Sequence, residues 1–134
     1  MMPTRGGGRS LELPLLGFVA AGAPIEAVAT TETIAVPDDL VGKRDTYVLK
    51  VRGDSMIDEQ IRDGDFVIVE DRKTADNGEM VIALLGGSDV TLKKFYRENG
   101  NVRLQPANPA MLPLIVAADH IQIQGVVVGV MRKY

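Results

Sequence analysis

Y-V-L-K-V-R-G-D-S-M-I-D, residues 47–58, begins as a strand and breaks abruptly into a turn. Its first half alternates and is rich in β-branched and aromatic residues, the pattern of a chain whose successive side chains face opposite sides of a sheet. Gly53 and Asp54 interrupt that run, and Ser55 follows them. Turns favour Gly, Asp and Ser for local hydrogen bonding, so Ser55 taken alone is an ordinary turn residue. A serine held where a strand ends can also present its hydroxyl, together with neighbouring backbone N–H groups, to a substrate. Which of the two it is depends on the segments around it.

Downstream, residues 56–62 read as a short helical turn, and F-V-I-V-E at 66–70 reads as a buried strand because its apolar residues are continuous. D-N-G at 76–78 marks a turn before another strand over 79–85, and the short Gly-containing loop predicts that 66–70 and 79–85 pair antiparallel. V-T-L-K-K-F-Y at 90–96 is the next strand; Asn99-Gly100 has the left-handed propensity of a tight hairpin turn, and 102–105 returns. Pro106, Pro109 and Pro113 bound a loop. I-Q-I-Q-G-V-V-V-G-V-M at 121–131 alternates and then turns apolar on both faces, as a core strand or a subunit interface would, with Gly125 and Gly129 at bends or close backbone approaches.

Upstream, residues 11–24 are apolar but broken by Pro14, Gly17, Gly22 and Pro24, which excludes a long helix. They read as an edge strand and turn, or as a peptide presented to a site, where Ala20, Ala21 and Gly22 let another backbone come close. Residues 25–35 read as connecting strand and loop, with a turn at 36–39, and the glycine-rich residues 1–10 as a flexible tail or linker remnant. No repeat and no sustained amphipathic helical period is present. The expected fold is all-β: mainly antiparallel strands in small, partly closed barrel-like sheets, with at most one or two short helical turns, forming one domain over 11–134.

Composition narrows the function. The chain of 134 residues has no cysteine and a single histidine, which leaves no thiol chemistry or disulfide framework and points away from structural zinc; no metal or other cofactor is expected. A formal charge of −3 and an aromatic set of three Phe, three Tyr and no Trp supply neither a phosphate-binding surface nor stacking platforms, so direct DNA binding is not expected. No apolar run approaches a membrane span and no signal peptide opens the chain, so the expectation is a cytoplasmic protein with no membrane partner.

A serine hydroxyl is a weak nucleophile and needs a base. His120, the sole histidine, sits beside Asp119 in an expected loop and is read as a surface residue. Lysine is the accepted alternative, provided it is neutral. From its reference pKa, neutrality at pH 7 costs about 4.6 kcal/mol, and burial in an apolar wall can lower a lysine pKa by ~3–5 units. Lys93 and Lys94 both lie in an otherwise apolar strand. Alternation puts Thr91, Lys93 and Phe95 on one face and Val90, Leu92, Lys94 and Tyr96 on the other, so only one lysine can face a given site. Periodicity does not choose between them, apolar content alone slightly favours Lys94, and both also suit a solvated strand edge.

The segments V-A-A-G (19–22), V-R-G-D-S-M-I-D (51–58), D-G-D (63–65), N-G-E (77–79), V-T-L-K-K-F-Y (90–96), L-Q-P-A-N (104–108) and G-V-V-V-G-V (125–130), in this order, resemble the self-cleaving carboxy-terminal domain of the LexA-type SOS repressors over residues 13–132. The resemblance implies Ser55 as nucleophile, Lys93 as general base, and a scissile bond between Ala21 and Gly22 in a cleavage loop at about 18–24. It further implies a homodimer, and a RecA filament on single-stranded DNA as co-protease. With Ser55 and Lys93 so assigned, the N–H groups of Ser55 and Asp54 are expected to face the developing oxyanion, and Thr91 to hold the Lys93 amine. Family repressors carry an amino-terminal DNA-binding domain, and only ten residues precede Leu11, so an isolated domain or a short relative is expected. UmuD-like polymerase subunits share the dyad and lack a DNA-binding domain; the Ala/Gly bond, the F-Y after the lysines and L-Q-P-A-N favour the LexA type. A noncatalytic β-rich dimerisation module is the remaining alternative.

Overall fold

Continuous apolar and alternating runs dominate the chain, and the computed structural model, which describes residues 10–20, 23–41, 45–87 and 89–133, turns nearly all of them into strands. In chain order these are β1 (Ser10–Ala20), β2 (Ala23–Pro37), β3 (Thr46–Arg52), β4 (Phe66–Glu70), β5 (Met80–Leu85), β6 (Asp89–Glu98), β7 (Asn101–Gln105), β8 (Leu114–Ala117) and β9 (Ile121–Met131). Single 3-10 turns stand at Asp38–Leu40, Ile57–Glu59 and Ala118–His120. Among the described residues no helix is long and apolar enough to cross a membrane. The fold is all-β.

One mixed sheet holds all nine strands, in the order β2-β1-β3-β4-β9-β5-β6-β7-β8, and an additional β2–β6 pairing bends it back on itself. That pairing consists of Ala23 opposite Val90 and closes β1 to β6 and β9 into a ring, with β7 and β8 running on outside it. Only β1 with β3 is parallel; the remaining neighbours are antiparallel.

Two local expectations are corrected by long-range pairing. Residues 66–70 and 79–85 do not form a hairpin, because β9 lies between them and hydrogen-bonds to both β4 and β5. Residues 11–20 form an inner strand rather than an edge, flanked by β2 and β3. Directly after the proline-bounded loop, residues 114–117 add β8 to the far edge. The hairpin at Asn99-Gly100 forms as its sequence requires, both residues having positive φ (50° and 80°). Ser10 belongs to β1, and residues 1–9 lie outside the described residues.

Alternation along the strands divides the apolar residues between faces. Leu49 and Val51 of β3, Val67 and Val69 of β4, Ile82 of β5 and Val90 and Leu92 of β6 join Val19, Met56 and Ile61 in one buried cluster shared by strands around the ring. Val48 and Ile68, one step out of phase, pack with Leu13, Ile34, Val36 and Phe66; Val81 and Ala83 pack with Phe95, Val102, Leu104, Ile123 and Val126. β9 can cross between β4 and β5 because of its glycines. A Cβ on Gly125 would lie 2.4 Å from Val69 Cγ1 and 2.9 Å from the Glu70 carbonyl oxygen, at a point where the β5–β9 register also shifts. The Tyr47 hydroxyl donates to the adjacent Gln124 carbonyl at 3.1 Å, and burial, aided by the Asp71 charge, pushes its pKa up to about 12.

Candidate active site

β3 delivers Ser55 by ending. The strand runs to Arg52, Gly53 takes a φ of +89° that side chains other than hydrogen rarely tolerate, and its N–H donates to Asp63 Oδ1 at 2.9 Å. The 3-10 turn Ile57–Glu59 follows, and Gln60, left-handed at φ 63°, ends it. Asp65 is 2% exposed and fixes the far side: its carboxylate accepts the Arg62 N–H at 2.8 Å and two hydrogen bonds from Arg132 at 2.8 Å each. Arg132 also donates to the Gln60 carbonyl at 3.1 Å, so the end of β9 is tied to the turn after Ser55. The Arg132 bonds hold the Asp65 carboxyl below its usual range.

β6 delivers the lysine. Lys93 is 8% exposed, and its Nζ lies 3.3 Å from Ser55 Oγ, 2.7 Å from Thr91 Oγ1 and 3.1 Å from the Leu92 carbonyl oxygen. Burial lowers its pKa from 10.5 to about 8. This set of neighbours serves both protonation states. An ammonium donates three hydrogen bonds; a neutral amine donates two, to Thr91 and Leu92, and turns its lone pair to the Ser55 O–H. Thr91 itself is 2% exposed and on the same face. Lys94 faces the other way, ion-paired with Glu59, whose hydrogen bond raises its pKa. Periodicity leaves the two lysines equivalent and apolar content leans to Lys94; the fold corrects that lean, because the face of β6 that meets the end of β3 is the one bearing Lys93.

The segment after β7 completes the serine turn. The Ala107 N–H donates to the Ser55 carbonyl at 2.8 Å, the Ala107 carbonyl accepts the Asp58 N–H at 2.7 Å, and Asn108 Nδ2 donates to the Asp54 carbonyl at 2.9 Å. Among the described residues the backbone N–H groups of Asp54 and Ser55 have no hydrogen-bond acceptor. Asn108 was absent from the residues expected at the site. Its only signal was the L-Q-P-A-N match, because nothing local shows that a loop asparagine reaches a carbonyl 54 positions earlier.

Beside Lys93 opens a cleft of about 290 Å³, lined by Thr91, Leu85, Leu104, Pro106, Met111 and Leu114 among others. Ala21 and Gly22 lie outside the described residues; the backbone on either side of them is described. Ala20 pairs with Arg52, three positions before Ser55, and Ala23 pairs with Val90, three positions before Lys93. The expected loop at 18–24 is thus, where described, the end of β1 and the start of β2. His120 is exposed in its 3-10 turn, 3.9 Å from Asp119, and no contact among the described residues joins it to Ser55.

Residues 14–128 match the family described as Peptidase S24-like. The chain belongs to that family. As an S24-like domain it is of LexA type. It is 53% identical over 122 residues to a LexA repressor of Koribacter versatilis, covering 91% of this chain and 58% of that protein. To LexA repressors of Syntrophotalea carbinolica and Zymomonas mobilis it is 48% identical over 127 and 124 residues, covering 94% and 92% of this chain and 62% and 57% of theirs. The chain therefore spans about three fifths of the length of these relatives.

Proposed function

We propose that this domain is a latent serine peptidase that hydrolyses its own Ala21–Gly22 bond, with Ser55 as nucleophile and Lys93 as general base. The observation that carries this reading is a buried lysine amine 3.3 Å from the hydroxyl of a serine in the turn that follows β3. Neutral Lys93 takes the Ser55 proton as Oγ bonds to the Ala21 carbonyl carbon. The oxyanion is received by the N–H groups of Ser55 and Asp54. The C–N bond to Gly22 then breaks, the leaving amine takes the proton from Lys93, and the Ala21–Ser55 ester is hydrolysed by a water that Lys93 deprotonates in turn. Thr91 holds the amine in both states.

With a pKa of about 8, roughly a tenth of Lys93 is neutral at pH 7, against a few in ten thousand for an unperturbed lysine. A substrate in the same chain is at high effective concentration, so control lies in conformation. The strand pairings of Ala20 and Ala23 bring the flanks of the bond alongside β3 and β6 and favour this cis geometry. From the LexA resemblance, a RecA filament on single-stranded DNA acts as co-protease by stabilising the docked segment, supplying no catalytic group. The domain also serves as a homodimerisation module in a transcriptional repressor of the SOS response; Val128 and Val130 of β9, 37% and 41% exposed, offer an apolar surface to a second copy.

Mass spectrometry of the chain incubated between pH 6 and 10 tests this. The expected outcome is a single cut after Ala21 at a rate independent of protein concentration, rising about tenfold per pH unit below pH 8 and levelling above it. An intact chain at every pH, or a Ser55→Ala variant that still cuts, refutes it.

A further inference from the structure

The carbonyls on both sides of the Ser55 Cα are held by one short segment. Ala107 N–H binds the Ser55 carbonyl, and the Asn108 side chain binds that of Asp54. The orientation of the Asn108 amide is itself determined, because its Oδ1 accepts the Ala110 N–H at 2.8 Å and leaves Nδ2 to face Asp54. No described peptide is cis. In a planar trans peptide the C=O and the following N–H point in opposite directions. Drawing the Asp54 carbonyl towards residue 108 therefore turns the Ser55 N–H away from it, and that N–H finds no acceptor among the described residues. Among the described residues, the Asp54 carbonyl receives, apart from Asn108, only the Ile57 N–H, at 3.2 Å.

We propose that Asn108 is a positioning residue for self-cleavage: through the Asp54 carbonyl it orients the Ser55 N–H towards the developing oxyanion. This rests on the assignment of Ser55 as nucleophile. The role is indirect, since among the described residues the Asn108 side chain hydrogen-bonds neither the Ser55 hydroxyl nor the Lys93 amine, and it gives L-Q-P-A-N a chemical purpose. A carbonyl left with one long hydrogen bond allows the Asp54–Ser55 peptide to rotate, and an oxyanion donor that is misdirected part of the time loses part of its effect. Complete removal of such a donor costs ~100–1000-fold in rate; Asn108→Ala, which leaves the Ile57 bond, is expected to slow the reaction by about tenfold.

The test compares wild type, Asn108→Ala, Asn108→Asp and Ser55→Ala in two assays, self-cleavage across pH 7–10 and phosphonylation of Ser55 by a small fluorophosphonate. The aspartate keeps the shape and the acceptor for Ala110 but lacks the donor to Asp54, and it carries the test if the alanine variant does not fold. We expect both Asn108 variants to be about tenfold slower in both assays, with an unchanged pH midpoint and an unchanged urea midpoint. The fluorophosphonate needs the oxyanion donor and not the docked segment, so slow cleavage with wild-type phosphonylation overturns the proposal in favour of a docking role. Wild-type rates in both assays overturn it outright, as does slowing that only follows a shifted pH midpoint or a lost folded fraction. If wild-type protein reacts in neither assay, the assignment of Ser55 fails instead.

Discussion

Lys93 and Lys94 are neighbours in sequence and strangers in environment. β6 alternates, so one amine enters a wall made by Thr91, Leu92 and Ser55 and the other reaches Glu59. Burial lowers the first pKa to about 8; a carboxylate raises the second. Nothing intrinsic to lysine differs between them. Basicity here belongs to the position, and a shift of one residue in the register of β6 would exchange the two amines.

The strongest way to break this comparison is to delete each amine in turn. Lys93→Ala is expected to slow self-cleavage by at least ~1000-fold, the scale on which removal of one member of such a catalytic set acts. Lys94→Ala should stay within about threefold, since its loss frees only a surface pair. Mass spectrometry of both variants at pH 10 decides the matter, and the reverse order would assign the base to the wrong face.

Stability gives the next largest contrast. Lys93 has a lower pKa folded than unfolded, so between about 8 and 10.5 the unfolded chain binds a proton that the folded chain does not. Stability therefore climbs with pH through that window, and below it the folded state bears the full cost of the buried charge. Lys93→Met should be more stable than its parent at pH 7 by on the order of 2 kcal/mol, less than the full shift because Thr91 loses its partner, with the advantage vanishing near pH 10.5. Urea titrations at pH 7 and pH 10.5 measure it; equal stabilities at pH 7 would mean that the amine is better solvated than its 8% exposure implies.

The smallest effect sharpens the other side. Glu59→Gln removes the group that raises the Lys94 pKa. Both side chains are partly exposed, at 28% and 35%, so the expected loss is below ~1 kcal/mol at pH 7, and self-cleavage should be unchanged. A large loss in urea titration would show the pair to be less hydrated than its exposure indicates.

What the sequence revealed follows the range of the interaction that decides it. β3, β4, β6, β7 and β9 lie where alternation, apolar runs and Asn-Gly punctuation put them, because those signals are local. The hairpin between residues 66–70 and 79–85 failed as an expectation because its competitor, β9, lies some forty residues further on and no turn signal near residue 77 reports it. β8 was hidden because it is short and follows Pro113 directly, where the run of prolines reads as loop. At the site, residue types and one face of β6 were readable, and so was the link between Thr91 and Lys93. The choice between the lysines was not, since it requires knowing which side of β6 meets the end of β3. Asn108 was least legible, its role depending on a single contact between two loops.

The placing of β9 bears on the protein while it is being made. Ser55 follows β3, which pairs with β4; Lys93 lies in β6, which pairs with β5; and β9 is what lies between β4 and β5. Ribosomes produce Ser55, Lys93 and the proposed scissile pair Ala21–Gly22 well before residues 121–131 emerge. Until then Ala23 with Val90 is the one strand pairing, among the described residues, that joins the two halves of the sheet. On the proposed assignment, a nascent chain carries nucleophile, base and substrate before it has the strand that holds β4 and β5 together, so folding of β9 would precede any self-cleavage.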